Sequence, residues 1–134
     1  LTESELGMMR EHSGVGYDIL KEIEFSLPIA QIVLQHHERV NGSGYPEGLT
    51  GKDMLLEAKI LGVADVVDAM TSHRPYRKPF ALDEALQEIL HNRGIRYDSH
   101  VVTACLAVFR EKRFTFAQEY YSTLKSFEEV LLKV

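Results

Sequence analysis

Three histidines, His12, His36 and His37, and two aspartates, Asp65 and Asp68, are the side chains in this sequence whose types could do chemistry together. Imidazole nitrogen and carboxylate oxygen are ligands for zinc, iron or manganese. Each feature also has a plainer explanation. Neighbouring helical positions point about 100° apart, so His36 and His37 do not readily chelate one metal as an i, i+4 pair does. At a helix end they serve two metals, or one metal and a substrate or water, or they are solvated surface. His12 opens the stretch His12-Ser13-Gly14-Val15-Gly16, where Ser13 suggests a helix start that His12 merely flanks. Asp65 and Asp68 sit inside the most apolar segment of the chain. An ionised carboxylate buried there costs several kcal/mol unless it is paired or binds a metal. The alternative is that both point outward or cap a neighbouring helix.

Two loops add to this set. Asn41-Gly42-Ser43-Gly44-Tyr45-Pro46-Glu47-Gly48-Leu49 directly follows the histidine pair. Its glycines let the backbone approach a ligand, Pro46 fixes part of the path, and Tyr45 offers a ring and a hydroxyl. Later, Arg74, Arg77 and Lys78 place three cations within five residues of a chain whose net charge is −5. They form an anion site at the end of the helix carrying Asp65, or a solvated face. Arginine's planar fork suits phosphate. Taken together, the histidines, carboxylates, shaped loop and arginine pair point to metal-assisted chemistry on a phosphate ester. Metal ions there would lower the pKa of a water and neutralise charge on phosphoryl oxygens. His73, His91 and His100 lie at predicted helix ends or in polar stretches and carry no such role.

The elements that must position these residues read as helices. Thr2-Glu3-Ser4-Glu5 is a capping box opening a short first helix, and Tyr17, Ile19, Leu20 and Ile23 mark a second. Ser26-Leu27-Pro28 starts a third, which runs through Ile29, Ile32, Val33 and Leu34 towards His36. Asn41 to Gly51 is a loop by turn chemistry. Leu55 to Met70 is apolar on almost every face and predicts a central, buried helix. Two amphipathic helices follow, over Ala81–Leu90 and over Val101–Phe109, the latter capped by Asp98 or Ser99. A tail with a second capping box, Ser126-x-x-Glu129, also holds Phe114, Phe116, Tyr120, Tyr121 and Phe127, which either complete the core or contact a second chain. No segment alternates with period two for long enough to make a strand. The fold class is all-α.

Composition sets the remaining bounds. At 134 residues, 45% hydrophobic and 26% charged, the chain is one globular domain. The net charge of −5 argues against a nucleic-acid polymer as partner. No apolar run is long enough for a membrane span. A single cysteine, Cys105, excludes an internal disulfide and fits a cytoplasmic location. The start at Leu1 suggests a processed chain or a piece of a longer protein.

His36-His37-Glu38-Arg39, Gly42-Ser43-Gly44-Tyr45-Pro46-Glu47-Gly48-Leu49, Val63-Ala64-Asp65 and Arg74-Pro75-Tyr76-Arg77 resemble, in order and spacing, the HD-GYP family. These are all-helical bacterial metal-dependent phosphohydrolases that hydrolyse cyclic di-GMP. The resemblance covers residues 1 to about 106, leaving 107–134 as a helical extension within one domain. It implies an HD-domain-like bundle lacking its first helices. It implies that His12, His36, His37 and Asp65 are ligands in a site of two or three divalent metals, iron or manganese. Gly44, Tyr45 and Pro46 would shape the substrate pocket, Arg74 and Arg77 would hold phosphate, and Asp68 would be a further ligand or orient one. The nucleophile would be a metal-bridging hydroxide, and the product linear pGpG or GMP. A homodimer, and a sensor or receiver domain upstream, would be the partners.

The family's name-giving His-Asp pair is missing: no His-Asp dipeptide occurs in this chain. The expectation is therefore that this polypeptide alone has little phosphodiesterase activity and holds metal weakly. Two other functions compete with cyclic di-GMP hydrolysis. One is a related phosphohydrolase acting on another nucleotide, and the other is a catalytically silent module that binds a nucleotide or a partner protein.

Overall fold

Thr2 caps the first helix, α1 (Glu3–Leu20), as its sequence predicts. The Thr2 hydroxyl accepts from the Glu5 N–H at 3.3 Å, and the Glu5 carboxylate accepts from the Thr2 N–H at 2.7 Å. The computed structural model describes residues 2–111, in which α1 is followed by α2 (Ile29–Gln35), α3 (Leu56–Thr71), α4 (Leu82–His91) and α5 (Ser99–Glu111). Among the described residues no strand forms, only isolated bridges such as Asn41 with Thr50, so the all-α expectation holds. The aromatic tail and its capping box lie outside the described residues, as does most of the 107–134 extension.

One boundary differs from the sequence reading. Where two helices are expected before Ser26, α1 runs unbroken to Leu20. Ser13 does not start a helix: it is fully buried, and its hydroxyl donates back to the Arg10 carbonyl at 3.3 Å. The nearby Gly16 serves packing instead, since a Cβ on it would lie 2.8 Å from the Val33 side chain of α2. The two helices can therefore pack closely, and that brings His12 towards the end of α2.

Helix α2 stops at Gln35, and the buried Gln35 side chain accepts from the Leu55 N–H at 2.9 Å. That bond meets one of the unpaired donors at the start of α3. The core lies further along the chain. Val63 and Val67 of α3, Ala85 and Ile89 of α4, and Val101, Val102 and Leu106 of α5 pack with Tyr97 into one apolar cluster. Asp98 caps α5, accepting from the N–H groups of His100 at 2.9 Å and Val101 at 3.1 Å. These bonds, led by the one from Val101, hold the Asp98 carboxyl below its ordinary pKa.

Helix α3 is not buried all round, as its composition suggested. Its Ala58, Gly62, Val63 and Val67 are buried, but Leu56 is 57% exposed and Ile60 50%. With Ala104, Cys105 and Val108 of α5, these two side chains line an open apolar groove. Among the described residues, no helix is long and apolar enough to cross a membrane.

Candidate metal centre

His12 projects from the middle of α1, and His36 and His37 follow the last residue of α2. The His36 backbone is still helical, at φ −65° and ψ −17°, yet the two side chains converge. The two rings lie 4.0 Å apart, tilted by 42°. His12 Nε2 is 3.0 Å from His37 Nε2 and 3.4 Å from His36 Nε2. His12 Nδ1 contacts the Met9 carbonyl and His36 Nδ1 the Val33 carbonyl. A carbonyl accepts only, so each Nδ1 carries the proton and each Nε2 presents its lone pair to the others.

The Nε2 lone pairs of His12 and His36, 3.4 Å apart, repel unless a cation lies between them. Metal–nitrogen bonds of about 2.0–2.1 Å put neighbouring ligand nitrogens about 2.9 Å apart at a right angle and about 3.3 Å apart at the tetrahedral angle. The two spacings to His12 Nε2 match these edges. The ligand atoms of His12, His36 and His37 all lie within 4.8 Å of one another. The donor set fits a divalent ion, and the Nδ1–carbonyl bonds are the outer contacts that fix ligand tautomers.

The backbone carrying the pair is clamped from two sides. A Cβ on Gly62 of α3 would lie 2.7 Å from the His36 carbonyl oxygen. On the other side, a Cβ on Gly44 would lie 2.4 Å from the His37 carbonyl oxygen and 2.5 Å from the Arg39 nitrogen. Only glycine permits either approach. The loop is held down by Glu38, which is 2% exposed. Its carboxylate accepts from the N–H groups of Glu47, Gly48 and Leu49 at 2.7, 3.1 and 2.9 Å. So anchored, with a cis Tyr45–Pro46 bond, the loop stacks the Tyr45 ring on His37 at 4.9 Å and 23°. The sequence reading missed Glu38. The signal was available: a glycine-rich loop leaves N–H groups without a ladder, and an acid beside it is the acceptor they need.

Electrostatics keep the His37 ring neutral. Burial, then the neighbouring His36, His12 and Arg39, push its pKa from the ordinary 6.5 down to about 4. Burial also raises the Tyr45 hydroxyl, against the pull of Arg39 and Arg10.

The carboxylates and arginines are placed less simply. Neither aspartate is buried: Asp68 is exposed and the Asp65 side chain is 40% exposed. Both occupy the part of α3 that faces away from the apolar cluster, so neither bears the desolvation their sequence surroundings suggested. Asp65 reaches the cluster from the far side of His37, its Oδ2 4.0 Å from Nδ1 rather than beside the three Nε2 atoms. Asp68 accepts a long bond from Ser72 at 3.5 Å and is not part of the histidine group. Arg77 binds the end of α3, its Nη2 donating to the Ala69 carbonyl at 2.7 Å and its Nη1 to the Met70 carbonyl at 3.3 Å. Arg74 shares a backbone bridge with Arg77 and is half-buried.

The HD domain family profile matches residues 1–101, and the chain belongs to that family. The cyclic di-GMP phosphodiesterase response regulator RpfG of Xanthomonas campestris is 44% identical over 108 residues, covering 79% of this chain and 29% of that protein. A cyclic di-GMP phosphodiesterase of Thermotoga maritima is 40% identical over 123 residues, covering 89% of this chain and 33% of its own. The chain thus spans a third or less of the length of these curated relatives. A solved cyclic GMP-AMP specific phosphodiesterase of Vibrio cholerae superposes with a TM-score of 0.70 at 25% identity, over 89% of this chain and 28% of that one. An HDG"Y"P protein of Bdellovibrio bacteriovorus shares the fold with a TM-score of 0.64 at 21% identity, over 77% of this chain and 32% of that one.

Proposed function

We propose that this chain supplies part of the active site of a metal-dependent phosphodiesterase that opens cyclic di-GMP to linear pGpG or GMP. The observation that carries the reading is the convergence of three histidine Nε2 atoms, two of them with their tautomer fixed by carbonyl contacts, in a chain 44% identical to a cyclic di-GMP phosphodiesterase response regulator. His12, His36 and His37 hold divalent metal, iron or manganese. Asp65, on the other edge of His37, is a further ligand or fixes that ring. Asp68 assists from the next turn of α3. Bound metal ions supply Lewis acidity, lowering the pKa of a water and offsetting charge on the phosphoryl oxygens.

The chain's own residues do the rest. Gly44 lets the loop approach the histidine backbone, Pro46 sets its path, and Tyr45 walls the pocket beside His37. Arg74 and Arg77 provide positive charge for the phosphates, with Arg77 anchored to the end of α3. Three histidines and an aspartate satisfy one ion; a site of two or three needs more donors. In this reading the 134 residues alone therefore turn over slowly and hold metal weakly. A second copy, or a sensor or receiver module in a longer polypeptide, completes the assembly.

The test is elemental analysis of this chain, and of a polypeptide extended upstream, paired with a cyclic di-GMP hydrolysis assay. Two or more metals and turnover in the extended form alone are expected. Full-rate hydrolysis by the 134 residues with added manganese defeats the shared-site reading, and an extended form without metal or turnover defeats the enzyme. A second reading, hydrolysis of a mixed cyclic dinucleotide, is favoured by the Vibrio cholerae structure. A 3'3'-cGAMP-specific phosphodiesterase of that organism is also 29% identical over 120 residues. Competition between the two cyclic dinucleotides separates the readings.

A further inference from the structure

The arginine the structure sets against the loop beside the metal centre is neither Arg74 nor Arg77. Arg10, on α1 two residues before His12, places its guanidinium over the Tyr45 ring at 5.7 Å from the centroid. Tyr45 in turn stacks on His37 at 4.9 Å. The cation, the tyrosine and a histidine of the cluster thus form a continuous chain of contacts. Arg77, by contrast, directs both Nη atoms at backbone carbonyls. Arg39 likewise donates to the His36 and Glu38 carbonyls and lies against Tyr97.

Arg10 is also uncommitted. It is exposed, and among the described residues no carboxylate lies within ion-pair distance of it. Its contact with Tyr45 is a weak tether at an exposed site, easily exchanged for a stronger partner. The guanidinium's planar fork binds a phosphate through two parallel bonds. Resting on a tyrosine, the long side chain keeps its charge near the cluster.

We infer that Arg10 is a substrate-binding residue, a phosphate-holding arm on the α1 side of the metal centre that grips a phosphodiester group of the substrate and uses Tyr45 as its rest. The inference deepens the phosphodiesterase reading and rests on it for the identity of the substrate, while the phosphate contact itself is judged separately.

The experiment titrates the 134-residue chain, with Mn²⁺ in excess, with inorganic phosphate and separately with cyclic di-GMP, in the wild type, Arg10→Gln and Arg10→Lys. Arg10 is exposed and glutamine has nearly the same helix propensity, so the variants fold; circular dichroism checks this. Arg10→Gln should weaken phosphate about tenfold to a hundredfold, the loss of one charge-assisted contact, and Arg10→Lys should recover part of it. Manganese content should be the same in all three. Equal phosphate affinity in wild type and Arg10→Gln overturns the inference, as does a wild type that binds no phosphate. Loss of phosphate matched by loss of manganese also overturns it, because Arg10 would then act through the metal. Arg10-dependent phosphate binding without cyclic di-GMP binding upholds the arm and removes the proposed substrate.

Discussion

At the scale of single residues, His37 shows how the site fixes its own protonation. It is packed between His12, His36 and Tyr45, with Arg39 near, and its pKa falls to about 4. A histidine that resists protonation stays a metal ligand across the neutral range, since proton and metal compete for the same lone pair. The sign for stability follows from linkage. The unfolded chain takes up a proton near pH 6.5 and the folded chain only near pH 4, so the unfolded state binds more protons between those values. The contribution is complete above about pH 6.5 and is lost as pH falls towards about 4. The expected result is a urea midpoint for the metal-free protein that drops across this window, less steeply in His37→Gln. The grouping of His12, His36 and His37 was legible because histidines are few and chemically distinctive. The exposure of the aspartates was not. Asp65 and Asp68 read as buried from their neighbours in sequence, yet which side of α3 meets the core depends on α4 and α5, far along the chain.

The elements that bring the residues together meet at small, specific contacts. The histidine pair is fixed by Gly62 on α3 and by Gly44 in the loop, each tight against its backbone. Gly44→Ala forces a Cβ into the His37–Arg39 backbone, which cannot yield as a flexible side chain would. A loss of about 1–3 kcal/mol is expected, as for overpacking, with weaker metal binding as His37 shifts; urea denaturation and a cobalt titration measure the two. Glu38 acts through the loop. Glu38→Ala strands three N–H donors, each at about 1–3 kcal/mol, so a loss of about 3 kcal/mol or more is expected, and cleavage within 41–51 should be the first event in limited proteolysis. Stability unchanged in Glu38→Ala would show that water replaces the carboxylate. The turn residues announced this loop plainly, and the Thr2–Glu5 capping box and apolar periodicity announced the helices. The merging of two expected helices into α1 was hidden, because Ser13 and the glycines around it are turn-formers whose use here is burial and close packing.

Across the described residues, the candidate metal centre lies where α1 packs on the end of α2, outside the apolar cluster. The apolar cluster belongs to α3, α4 and α5 with Tyr97, whereas Ser13 is the only buried residue of α1, and Leu6, Met9, Val15 and Ile19 of that helix are exposed. The all-α class followed from periodicity along the sequence. Which faces are exposed among the described residues could not, because that depends on how all the helices pack. α1 packs on α2 through close contacts such as Gly16 against Val33, but buries no apolar side chain fully, so hydrophobic burial adds modestly to its hold. His12 coordinated with His36 and His37 would pin it there. A ligand that binds only the folded state stabilises it by about 2.7 kcal/mol at a hundred times its Kd. In a domain of this size that corresponds to about 10–15 °C in Tm. Saturating manganese should raise the melting temperature by that amount, and a chelator should reverse it. The gain should be largely lost in His12→Ala, where α1 no longer contributes a ligand, while the metal-free melting temperatures of the two proteins stay close because His12 is exposed. Hydrogen exchange localises the effect: metal should protect the amides of α1 and leave those around Ile89 and Val102 as slow as before. If manganese protects α1 equally in His12→Ala, the ion binds elsewhere and the three-histidine centre is the wrong site.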